Sequence, residues 1–349
     1  MKAYVLHGIG KLSFESVEKP VIKPNEVLVE VKAAGICGSD IPRIYRTGTY
    51  SHPLIPGHEF SGVVADTGED ADRRWVGKSV GVFPLIPCMN CDSCRQQKYE
   101  LCRSYSYLGS RSNGGFAEFV AVPEWNLIEL PEKVSFEAAA MLEPMAVAVH
   151  GIRSGNPQPG SRTAVCGLGT IGLFLTMFLM ERGMKDILVI GNKDSQKEMV
   201  GRLGLPESCY CDSRWTDMKQ WILEKTQGRG VDLFFECVGK EETIRNSLWC
   251  TAPGGMVQLI GNPASDICLE KDSYWRILRS QLTVKGSWNS SFTHQKEDDW
   301  HYVLERLKQK KIVPDVCITQ RLEFEKLEAG LHIMRDKSEE YVKVMALRQ

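Results

Sequence analysis

The chain has 349 residues, 43% of them hydrophobic and 25% charged, with a formal net charge of −1. Such a composition excludes a disordered chain and, at roughly 150 residues per domain, predicts two folded domains. It gives no field for gathering nucleic acid or anionic membrane, so neither is expected as a partner.

The opening MKAYVLHGIGKLSFE alternates like a strand without the apolar stretch of a secretory signal, and no run approaches the ~20 apolar residues of a membrane helix. A cytoplasmic protein is predicted, in which the 12 cysteines bind metal or stay reduced rather than form disulfides. As far as about Val149 the chain reads as short strands broken by Gly and Pro: VLVEVKAAGIC, FSGVVADTG, WVGKSVGVF and FAEFVAVPE. The breakers Asn156, Pro157, Pro159 and Gly160 then mark a boundary. Beyond it TAVCGLG, DILVIGN, VDLFFECVG and MVQLIG read as strands between the helix-spaced IGLFLTMFLMERG and DMKQWILEKTQ, the pattern of a parallel sheet covered by helices. After LTVKGSW at 282–288, a helix-like DDWHYVLERLKQKK and a last strand EYVKVMALRQ return to the first domain. The predicted class is α/β, with residues 1–153 and 289–349 forming a β-rich domain and 154–288 a doubly wound nucleotide-binding domain.

Cys88, Cys91, Cys94 and Cys102 are spaced C-x2-C-x2-C-x7-C within a loop at 87–103. Four thiolates so placed enclose one tetrahedral Zn²⁺ with no open position, a structural site; an iron–sulfur cluster is the competing occupant. A second set is dispersed: Cys37 in GICGSD, His58 and Glu59 in PGHEF, and Glu143 in MLEP. Three such ligands plus a water or substrate oxygen make a catalytic zinc, and Asp40 is positioned to orient His58.

The segment GLGTIG places Gly167, Gly169, Thr170, Ile171 and Gly172 between an apolar strand and an apolar helix. There glycines permit a tight turn and close pyrophosphate approach, with the phosphates at the helix N-terminus. The next strand ends Gly191, Asn192, Lys193 where NAD-binding chains carry an acidic residue. Room, an amide and a cation suit a 2′-phosphate, so NADP(H) is favoured over NAD(H); Asp194 is the ribose ligand if the strand runs longer.

Taken with CMNCDSC, GGFAEF and GHEFSGVVADTGEDA, these motifs resemble the zinc-containing medium-chain alcohol and polyol dehydrogenases across essentially the whole chain. The resemblance implies a GroES-like catalytic domain beside a Rossmann domain, two zinc ions per chain, and a homodimer or homotetramer. It assigns catalytic zinc to Cys37, His58 and Glu143, with Glu59 a ligand or an exchangeable neighbour, and makes Ser39 the hydroxyl that accepts the substrate proton. Many members carry a relaying His three residues after that Ser; here Pro42 stands instead, and the proton must leave by Glu59, Glu143 or water. The implied reaction is hydride transfer between NAD(P) and a secondary alcohol of a sugar-alcohol phosphate, with Arg111, flanked by Ser110 and Ser112, or Arg43 as the phosphate contact. The alternative substrates are unphosphorylated polyols, diols or amino alcohols; a non-catalytic redox sensor is the reading from another class.

Overall fold

Strand β1 (Lys2–Leu6) pairs antiparallel with β2 (Leu12–Ser16). The next strand, β3 (Glu26–Ile36), is EVLVEVKAAGI and almost wholly buried. It organises a seven-stranded sheet with β4 (Glu59–Thr67), β5 (Ser79–Val82), β8 (Phe119–Pro123) and β9 (Leu127–Glu129). Two short strands, β6 (Leu85–Ile86) and β7 (Ser106–Tyr107), close the loop between β5 and β8. Phe60, Phe116, Val29 and Val122 fill the core on one side of this sheet together with Tyr4 and Phe324.

The structure, a computed structural model describing residues 1–348, divides the chain into two compact units: Met1–Glu143 with the segment from Ser291 onward, and Pro144–Ser290. The first boundary lies earlier than residue 153. The reason is that MLEP opens a 14-residue helix, Leu142–Gly155, whose LEPMAVAVHGIRSG carries none of the β-rich texture before it.

The second unit holds β10 (Thr163–Cys166), β11 (Ile187–Gly191), β12 (Tyr210–Asp212), β13 (Val231–Glu236), β14 (Thr251–Leu259) and β15 (Thr283–Gly286). All pair in parallel, in the order β12-β11-β10-β13-β14-β15. This is the doubly wound order that opens a ligand crevice where the winding reverses, between β10 and β13. Central strands buried on both faces must be continuously apolar, as the fully buried ILVIG of β11 is. The helix Thr170–Glu181 is almost wholly buried as well, whereas Asp194–Arg202 and Glu241–Cys250 bury a few residues each and Lys271–Arg279 only Ser273, so none was recognisable by apolar content. Strand β12, three residues long, also escaped the pattern reading.

The chain then returns to the first unit, where β16 (Ile318–Glu323) and β17 (Lys343–Leu347) pair in parallel and β17 pairs antiparallel with β3. The predicted final strand thus contains β17, and its last residue, Gln349, lies outside the described residues. Among the described residues no helix is long and apolar enough to cross a membrane.

Candidate active site and cofactor pocket

Cys37 follows directly on β3, and His58 and Glu59 begin β4, its antiparallel partner; Gly35 faces Glu59 across the pair. A Cβ at residue 35 would sit 2.5 Å from Glu59 Oε2, so a glycine is what admits this carboxylate. The Cys37 sulfur, a His58 nitrogen and a Glu59 oxygen all lie within 4.8 Å of one another. Two residues distant in sequence have become neighbours by strand pairing alone.

Asp40 is completely buried beneath them. Its Oδ2 accepts the Cys37 N–H at 3.0 Å, and its Oδ1 stands 3.2 Å from His58 Nδ1. That approach is off the hydrogen-bond direction, and neither atom bonds another group. Burial by itself would lower the His58 pKa, but the charge of Asp40 and the Cys37 sulfur outweigh it and hold it well above the usual imidazole value. Burial pushes Asp40 up, yet His58 and Arg43 bring it below the usual carboxylate range. The site is therefore a buried pocket that favours positive charge, as a divalent cation requires.

Ser39 Oγ donates to Cys37 Sγ at 3.2 Å and accepts from Arg43 Nη1 at 3.0 Å. Arg43 also lies 3.6 Å from Asp40 Oδ1. Glu143, in the first turn of the helix Leu142–Gly155, does not join the tight donor group. It is buried nearby and accepts at 3.1 Å from Tyr107 Oη. Burial and the charge of Glu59 raise its pKa against the opposing His58 and Tyr107.

Lys343, on β17, was not foreseen. Its Nζ forms an ion pair with Glu59 Oε2 and donates to the Ile36 carbonyl at 3.1 Å, and both charged side chains are only 2% exposed. Burial works against the ammonium, but Glu59 raises its pKa overall. No short motif carries this pairing, since the residues stand 284 positions apart.

In the cysteine loop the sulfur separations are 3.5 Å for Cys91–Cys94 and 3.9 Å for both Cys88–Cys94 and Cys91–Cys102. Tetrahedral Zn–S bonds of about 2.3 Å require S···S distances of about 3.8 Å, so the four side chains already match a metal cage. The backbone N–H groups of Cys94 and Arg103 lower the Cys91 pKa to about 6, while burial pushes Cys94 up to about 12.

In the second unit Gly167 adopts φ 97°, and a Cβ on Gly172 would meet the Gly167 carbonyl oxygen at 1.9 Å. Turn and helix can approach this closely only as glycines. Gly167, Gly169, Gly191 and Asn192 line a cavity of about 650 Å³; Thr170 and Ile171 open the adjoining helix without lining it, and neither does Lys193. Gln196 ties the two loops together, since its Oε1 accepts the Asn192 N–H at 2.8 Å and its Nε2 donates to the Leu168 carbonyl at 3.0 Å. The Tyr210 hydroxyl donates to the Lys193 carbonyl at 3.0 Å. A Cβ at residue 191 would lie 2.6 Å from Gln196 Oε1 and 2.9 Å from the Tyr210 ring. Gly191→Asp is accordingly expected to destabilise the fold by roughly 1–3 kcal/mol, read by urea denaturation; an unchanged midpoint would show that the two neighbours give way. Two cations, Arg214 and Lys240, line this cavity, and the motif revealed neither.

Arg111 is sandwiched between Tyr50 and Tyr105, its guanidinium carbon 4.2 Å from each ring centre. Nη1 donates to the Tyr105 carbonyl and Nη2 to Tyr50 Oη, both at 3.2 Å.

Two family profiles match the chain: an alcohol dehydrogenase GroES-like domain over residues 23–132 and a zinc-binding dehydrogenase domain over 170–309. The protein belongs to the zinc-binding medium-chain alcohol and polyol dehydrogenases and is an NAD(P)-dependent oxidoreductase of that family. It is 31% identical to L-threonine 3-dehydrogenase of Bacillus licheniformis over 96% of both chains. Identity to galactitol 1-phosphate 5-dehydrogenase of Escherichia coli K12 is 29% over 91% of both. A crystal structure of galactitol-1-phosphate dehydrogenase from Escherichia coli superposes with a TM-score of 0.92 over the full length of both chains, at 28% identity. A zinc-binding dehydrogenase from Sinorhizobium meliloti 1021 bound to NADP superposes with a TM-score of 0.90 at 26% identity over 99% of both.

Proposed function

We propose that the protein interconverts a secondary alcohol of a polyol phosphate and the corresponding ketose phosphate with NADP(H), using two zinc ions, one catalytic and one structural. The observation that carries the reading is the Ser39 hydroxyl, 3.2 Å from Cys37 Sγ at the edge of the buried donor group.

Cys37 and His58 supply two metal donors, Glu59 a third, and Glu143 stands by as the exchanging carboxylate. His58 Nδ1 faces Asp40, which leaves Nε2 for the metal in the usual carboxylate–histidine arrangement. When bound, zinc supplies a Lewis acid that acidifies the substrate hydroxyl and polarises the ketone in reverse. Ser39 takes the hydroxyl proton, and Arg43, an N–H donor that cannot itself accept a proton, holds Oγ in place. Because Ser39 is half-buried, water at Oγ takes the proton onward, and a relay at Pro42 is not required. When bound, NADP(H) would supply the hydride acceptor, and the donor in reverse.

Arg43 is held at the donor group by Ser39 and Asp40, a placement that does not suit a phosphate distant from the reacting carbon. Arg111 suits that task better, since its tyrosine sandwich fixes the guanidinium while Nε and one N–H on each terminal nitrogen keep no bond to the described residues. Arg111→Ala is expected to raise KM for a phosphorylated substrate roughly 10- to 100-fold with little change in kcat; an unchanged KM removes the assignment. The likeness to L-threonine 3-dehydrogenase favours the second reading, an unphosphorylated substrate, in which Arg111 only braces its loop. A homo-oligomer is proposed to form along β15, an edge strand with all four residues exposed, in the cytoplasm.

The deciding experiment runs C4 to C6 polyols, their phosphates and the matching ketoses against NAD(H) and NADP(H), with and without a zinc chelator. Chelator-sensitive turnover confined to phosphorylated substrates with NADP(H) is the expected result. Turnover of free polyols alone would discard the phosphate and keep the metal chemistry.

A further inference from the structure

Arg214 follows β12 and lines the same cavity as Gly191 and Asn192. Its guanidinium is gripped from two sides. Nε donates to both Asp212 oxygens at 3.0 and 3.2 Å, and Nη2 donates to Asp212 Oδ2 at 2.6 Å and to Asp194 Oδ1 at 2.5 Å. Nη1 bonds nothing among the described residues, so two N–H donors of a fixed, permanently charged fork stay available. Trp215, the next residue, also lines the cavity with its side chain largely exposed, an aromatic face of the kind that stacks on a purine.

We propose that Arg214 reads the 2′-phosphate of NADP(H) through Nη1. The inference rests on the NADP(H) reading above and moves its cationic contact from Lys193 to Arg214. Gly191 clears the ground, because its missing side chain is replaced by Gln196 and Tyr210 rather than by a carboxylate facing the ribose. Asp194, the alternative ribose ligand, turns one carboxylate oxygen, Oδ1, to Arg214. The two aspartates hold the guanidinium in one orientation, so little side-chain entropy remains to be lost when a phosphate docks. A bare ribose hydroxyl offers Nη1 only a neutral acceptor, and the contact discriminates between the cofactors.

The test titrates the full-length wild type, Arg214→Ala and Arg214→Lys with NADPH and with NADH. Arg214→Ala should raise Kd for NADPH roughly 10- to 100-fold, the range for a lost hydrogen bond to a charged group, and leave Kd for NADH within about twofold. Arg214→Lys, which keeps the charge near Asp194 and Asp212 but lacks the fork, should show an intermediate loss confined to NADPH and stands in if the alanine variant does not fold. Equal losses for both cofactors, or none for NADPH, overturn the proposal. A wild type that binds NADPH no tighter than NADH refutes the NADP(H) preference by itself, while the variant-to-wild-type ratios for the two cofactors still decide the role of Arg214.

Discussion

His58→Ala is expected to lower kcat/KM by roughly three orders of magnitude or more and to remove one zinc ion per chain. The imidazole is the central donor of the buried group, with Cys37 and Glu59 on one side and Asp40 on the other. Without it only Cys37 and the carboxylates remain, with no imidazole to anchor a catalytic metal, and the several kcal/mol of charge stabilisation that a Lewis acid contributes are lost at ~1.4 kcal/mol per factor of ten. Cofactor binding should not change, because the cavity lined by Gly167 and Arg214 belongs to the other unit. Metal content by mass spectrometry and NADPH affinity, measured beside turnover, separate this loss from unfolding. Activity within tenfold of wild type would mean that the metal is held elsewhere or does not serve the reaction.

The second large effect is on stability. Lys343→Met removes the cation from a pair in which both partners are 2% exposed, and Glu59 is left as a buried carboxylate with less compensation. Breaking a buried pair from one side costs about 3–5 kcal/mol, whereas replacing both partners by neutral groups costs far less. Urea denaturation of Lys343→Met should show a loss of that size, and Lys343→Met combined with Glu59→Gln should recover much of it. A cost below about 1 kcal/mol for the single variant would show that Glu59 has another source of compensation. The pH dependence has a definite sign. Since Glu59 raises the Lys343 pKa in the folded chain, the contribution is complete below the ordinary lysine value of ~10.4 and is lost only as pH rises through the folded value. Wild type and variant should therefore differ most at neutral pH and converge in alkali.

The parts of this architecture that are encoded locally were legible in the sequence. Four cysteines within fifteen residues foretell clustered sulfurs because the spacing is short, and GLGTIG foretells a close glycine turn because strand, turn and helix are consecutive. Strand β11 declared itself through five unbroken apolar residues. The remainder depends on chain segments meeting in space. Lys343 reaches Glu59 only because β17 pairs with β3, which in turn pairs with β4. Arg214 reaches the cavity of Gly191 because β12 lies beside β11. Arg111 offered itself as an exposed fork next to two serines, and nothing in SRSN announces that Tyr50 and Tyr105 will clasp it. Lys193 was the nearest cation in sequence to the predicted ribose position, yet it does not line the cavity.

The placement of β17 between β16 and β3 bears on how the protein is made. A chain emerging from the ribosome exposes β3 and β4 early, and the Pro144–Ser290 unit can close once its own residues are out. The sheet of the first unit cannot, because β3 waits for a strand whose first residue, Lys343, is made 307 residues after Ile36 at its own end. During that interval the end of β3 over Ala33–Ile36 shows a bare edge, the part over Glu26–Glu30 being covered by β8, and Glu59 has no ammonium beside it. The proposed metal donors Cys37, His58 and Glu59 are made at least 284 residues before Lys343, so their setting is completed long after they are in place. Ribosome stalling or truncation just before residue 343 should release a product with a finished nucleotide-binding unit and an open, aggregation-prone partner sheet.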